Sequence, residues 1–260
     1  MTRRCASAGD ELWLESHGAR IVIRSDDVSV LQRFPLPFEA ARASAGDADA
    51  AFRVRTLGEG AYEMLWGDES PVRFDHATSL LRRLGSQVDL AIAEHATEML
   101  FVHAGVVALH GFHIAIPGPS GSGKTTLVRE AIGRGATFLS DEYAVVDAEG
   151  RVHPYRRPLN VRQGPEKTAV DAAALGAPLG QSAVAIDVLL FCRYQADAQW
   201  HPTQLAPGEA VMNLVANTVA ARARPGAALE RLIRVVAGAR AWKGLRGEAG
   251  AVLDMFSSWA

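Results

Sequence analysis

Gly118-Pro119-Ser120-Gly121-Ser122-Gly123-Lys124-Thr125 spells a complete phosphate-binding loop of the form G-x-x-x-x-G-K-[ST]. Its glycines let successive backbone N–H groups turn inward toward phosphate oxygens. Lys124 brings a point charge to the β- and γ-phosphates, and the Thr125 hydroxyl suits Mg²⁺. The helix that follows, beginning with Thr126, aims its N-terminal dipole at the same anion. The candidate nucleotide-binding residues are therefore Gly118, Pro119, Ser120, Gly121, Ser122, Gly123, Lys124, Thr125 and Thr126. The flanks are what the loop requires. Phe112 to Ile116 is a short apolar run suited to a buried strand, and Leu127, Val128, Ala131 and Ile132 share one helical face. Gly133 and Gly135 then end the helix. A chance match in a chain of average composition and this length is on the order of 1%.

The chain of 260 residues is 48% hydrophobic, enough for one large domain or for a small region and a core domain. A net charge of −2 offers no basic field for nucleic acid or an anionic membrane, so neither is expected as a partner. No apolar run has the length of a membrane span. Cys5 and Cys192 are the only cysteines, which argues against a disulfide framework and against a Cys/His zinc site. Met1-Thr2-Arg3-Arg4 is not followed by an apolar stretch, so the expectation is no secretory signal and a reduced cytoplasm.

Residues 1–99 read as an N-terminal α+β region and residues 100–260 as a core domain. Strands are expected around a Ser16–Gly18 turn, and Ala40 to Ala51 reads as a linker. A hairpin is expected around Gly58-Glu59-Gly60, and a helix from His76 to Leu100, interrupted at Gly85. In the core domain, Leu100 to Leu109 turns at His110-Gly111 into the strand before the phosphate loop. Ala136 to Ser140 reads as a strand ending at Asp141-Glu142, followed by a hairpin over 143–155 and a strand from Ile186 to Cys192. From Gly208 onward the spacing predicts helices at 210–221, 227–237 and 249–259.

Three features belong with the loop. Asp141-Glu142 places two carboxylates at the end of a strand expected beside it, suited to Mg²⁺ ligation or to taking a proton from an acceptor hydroxyl. His103 stands on the strand that folds back beside Gly118, within reach of a terminal phosphate or acceptor. His110 and His113 are weaker candidates. In Arg156-Arg157-Pro158-Leu159-Asn160-Val161-Arg162, Arg157 and Arg162 are the preferred pair for neutralising charge on a transferring phosphoryl group, with Arg156 left open as an alternative.

Val102-His103-Ala104-Gly105-Val106, a hairpin, the loop, then Leu139-Ser140-Asp141-Glu142 resemble the catalytic core of HPr kinase/phosphorylase. That family phosphorylates a serine of the phosphocarrier HPr, on a fold similar to the nucleotide domain of phosphoenolpyruvate carboxykinases. Val152-His153-Pro154-Tyr155-Arg156-Arg157-Pro158-Leu159 looks like a segment of smaller related kinases, including those of lasso-peptide gene clusters. The resemblance covers about residues 100–195. It implies an α/β P-loop kinase core with a mixed sheet and flanking helices, using ATP and Mg²⁺. Carried over by position, Lys124 and Thr125 hold the nucleotide and metal, Asp141 is the acid/base, Glu142 its neighbouring carboxylate and His103 the phosphate-site histidine. Thr125, Asp141 and Glu142 are the implied metal residues. The family's E-x-R-G stretch has no counterpart after Arg162, and the acidic pair is Asp-Glu rather than Asp-Asp. A kinase for a different serine-bearing protein or peptide therefore fits better than an HPr kinase, with a homo-oligomer left open. An NTPase switch, a degenerate nucleotide-binding module and a small-molecule kinase are the alternatives. No N-K-x-D guanine motif supports a GTPase switch, and intact Lys124, Thr125 and Asp141 argue against a degenerate site.

Overall fold

The computed structural model describes residues 11–37, 39–163, 166–257 and 259, without the side chains of 162, 163, 166, 167 and 257. Cys5 lies outside them. The chain forms two compact units, Met1–Glu98 and Met99–Ala260.

The first unit holds β1 (Glu11–Ser16), β2 (Ala19–Ser25), α1 (Val28–Arg33), β3 (Ala41–Arg42), β4 (Ala50–Gly58), β5 (Ala61–Trp66), β6 (Val72–Phe74) and α2 (Ala77–His95). Its six-stranded sheet runs β3-β1-β2-β4-β5-β6, parallel only between β2 and β4. Two of its hairpins turn on His17-Gly18 and Glu59-Gly60, with positive φ at both residues of each pair. That is the turn whose twist matches paired strands. Alternating Leu12 and Leu14, Phe52 and Val54, Tyr62 and Met64 are buried, and α2 covers the sheet with Leu80, Leu84, Val88 and Ile92. Two expectations change here. The helix runs unbroken through Gly85 and stops at His95, because its apolar stripe continues across the glycine and outweighs a cost of about 1 kcal/mol. The stretch from Ala40 to Ala51 is not wholly a linker: Ala41–Arg42 pairs with β1, and Ala50 opens β4.

The second unit holds β7 (Leu100–Leu109), β8 (Phe112–Pro117), α3 (Lys124–Gly133), β9 (Thr137–Ser140), β10 (Tyr143–Val146), β11 (Val152–His153), β12 (Leu159–Gln163) and β13 (Glu166–Val170). After these come β14 (Val188–Tyr194), β15 (Thr203–Gln204), α4 (Pro207–Val215), α5 (Pro225–Ala237), β16 (Arg240–Arg246) and α6 (Ala249–Ser257). The sheet order is β11-β10-β7-β8-β14-β16-β15, with β9 also on β7, and β12–β13 form a separate hairpin. Strands β8, β14 and β16 are parallel; β7 is antiparallel to β8. This is a mixed α/β fold with apolar cover on both sheet faces. On one, Ala104, Val106 and Leu189 meet Val211 and Leu214 of α4 and Leu232 and Val235 of α5. On the other, Val107, Val188 and Leu190 meet Leu127 and Val128 of α3 and Val252, Leu253 and Phe256 of α6. Sequence neighbours such as Val106 and Val107 thus serve opposite faces, which is why these strands read as continuous apolar runs.

The C-terminal third departs from the all-helical expectation. Arg240–Arg246 is a strand lying between β14 and β15, and α4 ends at Val215 rather than Ala221. Arg240, Lys243 and Arg246 give that strand a polar spelling that hides its place in the sheet. Residues after Arg157 likewise form the β12–β13 hairpin.

Candidate active site

The turn at His110-Gly111 has φ of 51° and 80°, so β7 reverses directly into β8, which delivers the phosphate loop. At the far end of this hairpin, Gly118 N donates to His103 O at 3.0 Å. Within the loop, Ser122 N donates to Pro119 O at 3.2 Å. Gly123 caps α3 with φ of 94°, a left-handed conformation that favours glycine, and a Cβ there would strike Arg246. The first turn of α3 therefore starts directly behind the loop, with N–H groups that have no acceptor inside the helix. At the other end of α3, Gly135 N and Ala136 N bond to Ile132 O and Ala131 O, the paired bonds of a glycine helix stop. The Lys124 ammonium lies across the loop, donating to Gly118 O at 2.6 Å and Pro119 O at 3.0 Å.

Asp141-Glu142 occupies a break in the sheet. β9 and β10 are successive partners of the same strand, with Val106 opposite Ser140 and His103 opposite Tyr143. β7 therefore stands between β9 and the loop strand β8, so β9 is not the direct neighbour expected. The acid nonetheless reaches the loop helix: Thr125 Oγ1 donates to Asp141 Oδ2 at 2.8 Å. Gly105 makes this reach available. A Cβ there would collide with Val128 of α3 and stand 3.8 Å from Asp141 Oδ1. The missing side chain lets α3 settle onto β7 and brings Thr125 to the carboxylate.

Burial pushes the Asp141 carboxyl up to about 7; the Thr125 hydrogen bond opposes that, Glu142 adds to it, and Lys124 opposes it. Asp141 Oδ1 is buried and has no hydrogen-bond partner. Glu142 Oε1 lies 3.9 Å from His103 Nδ1, and the His103 ring packs on Tyr143 at 4.7 Å. Burial lowers the His103 pKa, Glu142 raises it, and the Lys124 charge lowers it, with a net downward shift that favours neutral imidazole. Among the described residues no three His, Cys, Asp or Glu side chains converge as a metal cage. The oxygen set of Thr125, Asp141 and neighbouring Glu142, with an orphaned carboxylate oxygen, fits Mg²⁺, which keeps its waters and binds through few protein ligands.

The arginine segment leaves the sheet at the same end. Tyr155 N donates to Leu139 O at 2.9 Å, one residue ahead of Ser140 and Asp141. Burial lowers the Arg157 guanidinium pKa, while Arg156 Nη1 donates to Gln181 Oε1 at 3.4 Å. Arg162 stands on β12 opposite Lys167, and its side chain lies outside the described residues. His110 and His113 lie at the other end of β8, where His113 Nδ1 is 3.3 Å from Asp187 Oδ2. They do not join Asp141, Thr125 and Lys124.

Arg246 was not foreseen from the sequence. It is 1% exposed, donates from Nη2 to Gly123 O and from Nη1 to Gly247 O at 2.8 Å each, and lies 5.4 Å from the Tyr194 ring centroid. Only recognising 240–246 as a strand ending beside β14 would have pointed to it.

A solved structure, the Hpr(Ser) kinase/phosphatase from Coxiella burnetii, is similar over 61% of this chain and 97% of that chain, with 13% identity and a TM-score of 0.35. No family model and no curated protein matches the chain.

Proposed function

We propose that the chain is an ATP-dependent kinase that transfers the γ-phosphate to a serine hydroxyl of a protein or peptide. A peptide natural-product precursor of the lasso type is favoured over HPr as acceptor. The observation that carries the reading is the hydrogen bond between Thr125 of the phosphate loop and Asp141, a buried acid whose pKa is pushed up to about 7. A general base works best when its pKa lies near the working pH.

In this reading Gly118 to Thr126 seat the triphosphate, with the N–H groups at the start of α3 facing its oxygens. Lys124 gives up its loop carbonyls for β- and γ-phosphate oxygens. Asp141 takes the proton of the acceptor hydroxyl as its oxygen bonds to γ-phosphorus and the bond to the β-phosphate oxygen breaks. Neutral His103 serves as a hydrogen-bonding group, and Arg157 and Arg162 as the cations that balance charge on the equatorial oxygens. Mg²⁺, when bound by Thr125, Asp141 and Glu142, would neutralise the phosphate charge. Residues 1–99 are proposed to shape acceptor recognition; a recess of about 460 Å³ in the first unit, lined by Glu15, Arg20, Arg42 and Glu98, is charged rather than apolar.

The test is intact-mass analysis of HPr and of small precursor peptides after incubation with the protein, ATP and Mg²⁺, with Lys124→Ala as control. One added phosphate on a peptide serine, absent with the variant, is the expected result. Phosphate on HPr alone would reassign the acceptor. ATP hydrolysis with no acceptor modified would favour an NTPase switch or a small-molecule kinase.

A further inference from the structure

We propose that Tyr194, set beside the buried Arg246 guanidinium, is the stacking platform for the base of the nucleotide; this rests on the phosphate-loop reading above. The loop strand β8 lies between β7 on one flank and β14 on the other. Thr125 and Asp141 meet on the β7 flank. If they mark the terminal-phosphate end, the nucleoside leaves on the opposite flank, where β14 ends. There Tyr194 N donates to Ser122 O of the loop at 3.3 Å.

Tyr194 is 51% exposed although Val188, Leu189, Leu190, Phe191 and Cys192 of the same strand are buried. Its register partner on β16 is Arg246. The buried guanidinium sits 5.4 Å from the ring centroid, pinned by Gly123 O and Gly247 O. A cation held near an aromatic ring is attracted to it and restrains its position. The same guanidinium bonds the carbonyl of the helix-capping Gly123, so the phosphate seat and the aromatic platform share one anchor. An exposed ring offers a base a π-surface to cover, and such stacking tolerates any base.

The test measures Mg²⁺-ATP and Mg²⁺-tripolyphosphate binding by titration calorimetry on the intact chain, Tyr194→Ala and Tyr194→Phe. The wild type is expected to bind ATP more tightly than tripolyphosphate. Tyr194→Ala is expected to lose roughly tenfold or more in ATP affinity, while keeping tripolyphosphate affinity; Tyr194→Phe is expected to keep both. Unchanged ATP binding by Tyr194→Ala overturns the platform alone, and loss of both ligands reassigns Tyr194 to loop structure. Failure of the wild type to bind either ligand removes the phosphate-loop reading and the platform with it.

Discussion

Replacing Asp141 with asparagine should change how stability depends on pH. In the folded chain the carboxyl holds its proton up to about pH 7, against 3.8 as the ordinary value for the unfolded chain. Between these values the folded state binds more protons than the unfolded state. The stability this contributes is fully present below 3.8 and is lost as pH rises through 7. Integrating between pH 5 and pH 8 gives a loss of about 2–3 kcal/mol for this one group. For a chain of this size that is roughly 5–10 °C in melting temperature. The asparagine side chain carries no such titration, so the Asp141→Asn variant serves as the reference that cancels every other group. The assay is thermal or urea unfolding of both proteins, without nucleotide or metal, at half-unit steps from pH 5 to 8. The wild type should lose stability relative to Asp141→Asn as pH rises, most steeply between pH 5 and 7. A difference that stays flat across the range would refute the burial argument and with it the assignment of Asp141 as a base tuned to neutral pH.

Three further outcomes are expected. Thr125→Val removes the hydrogen bond that favours ionised Asp141, so the midpoint of the same pH-dependent loss should move upward; a downward or absent shift would count against the pairing. Gly105→Ala should cost about 1–3 kcal/mol by overpacking against Val128, and adding Val128→Ala should recover part of that loss; strictly additive losses in urea would show that no such contact exists. In Lys124→Ala, loss of the ammonium charge should raise the His103 pKa, measured by proton NMR titration, and should abolish phosphoryl transfer; an unmoved histidine would place Lys124 elsewhere in solution.

Much of the candidate site's local structure was legible before any fold was known, because it is spelled by neighbouring residues. Glycine at positions 118, 121 and 123, Lys124 and Thr125 fall within eight consecutive residues, and the loop needs only a strand before it and a helix after it. His110-Gly111 likewise announced the β7–β8 reversal, since two positive φ angles in a row restrict the residues that can turn there. Acidic Asp141-Glu142 stood out as charge at the end of an apolar run. Long-range geometry was not legible. That β9 and β10 share one neighbour, leaving Asp141 in the break between them, is a matter of register over more than thirty residues of separation. The hydrogen bond to Thr125 depends on an absent side chain at Gly105, and an absence acquires meaning only once α3 is seen against β7. Arg246 lies more than a hundred residues from the loop it braces; its charge reads as surface until β16 is placed beside β14, where Gly123 O, Gly247 O and the Tyr194 ring surround it. Local spelling determined the strand, glycine loop and helix start at 112–133, because a turn and a helix start are made by neighbours. Only the tertiary structure decided how Asp141 meets Thr125 and that Arg246 meets Gly123, because sheet pairing rather than sequence distance brings them together.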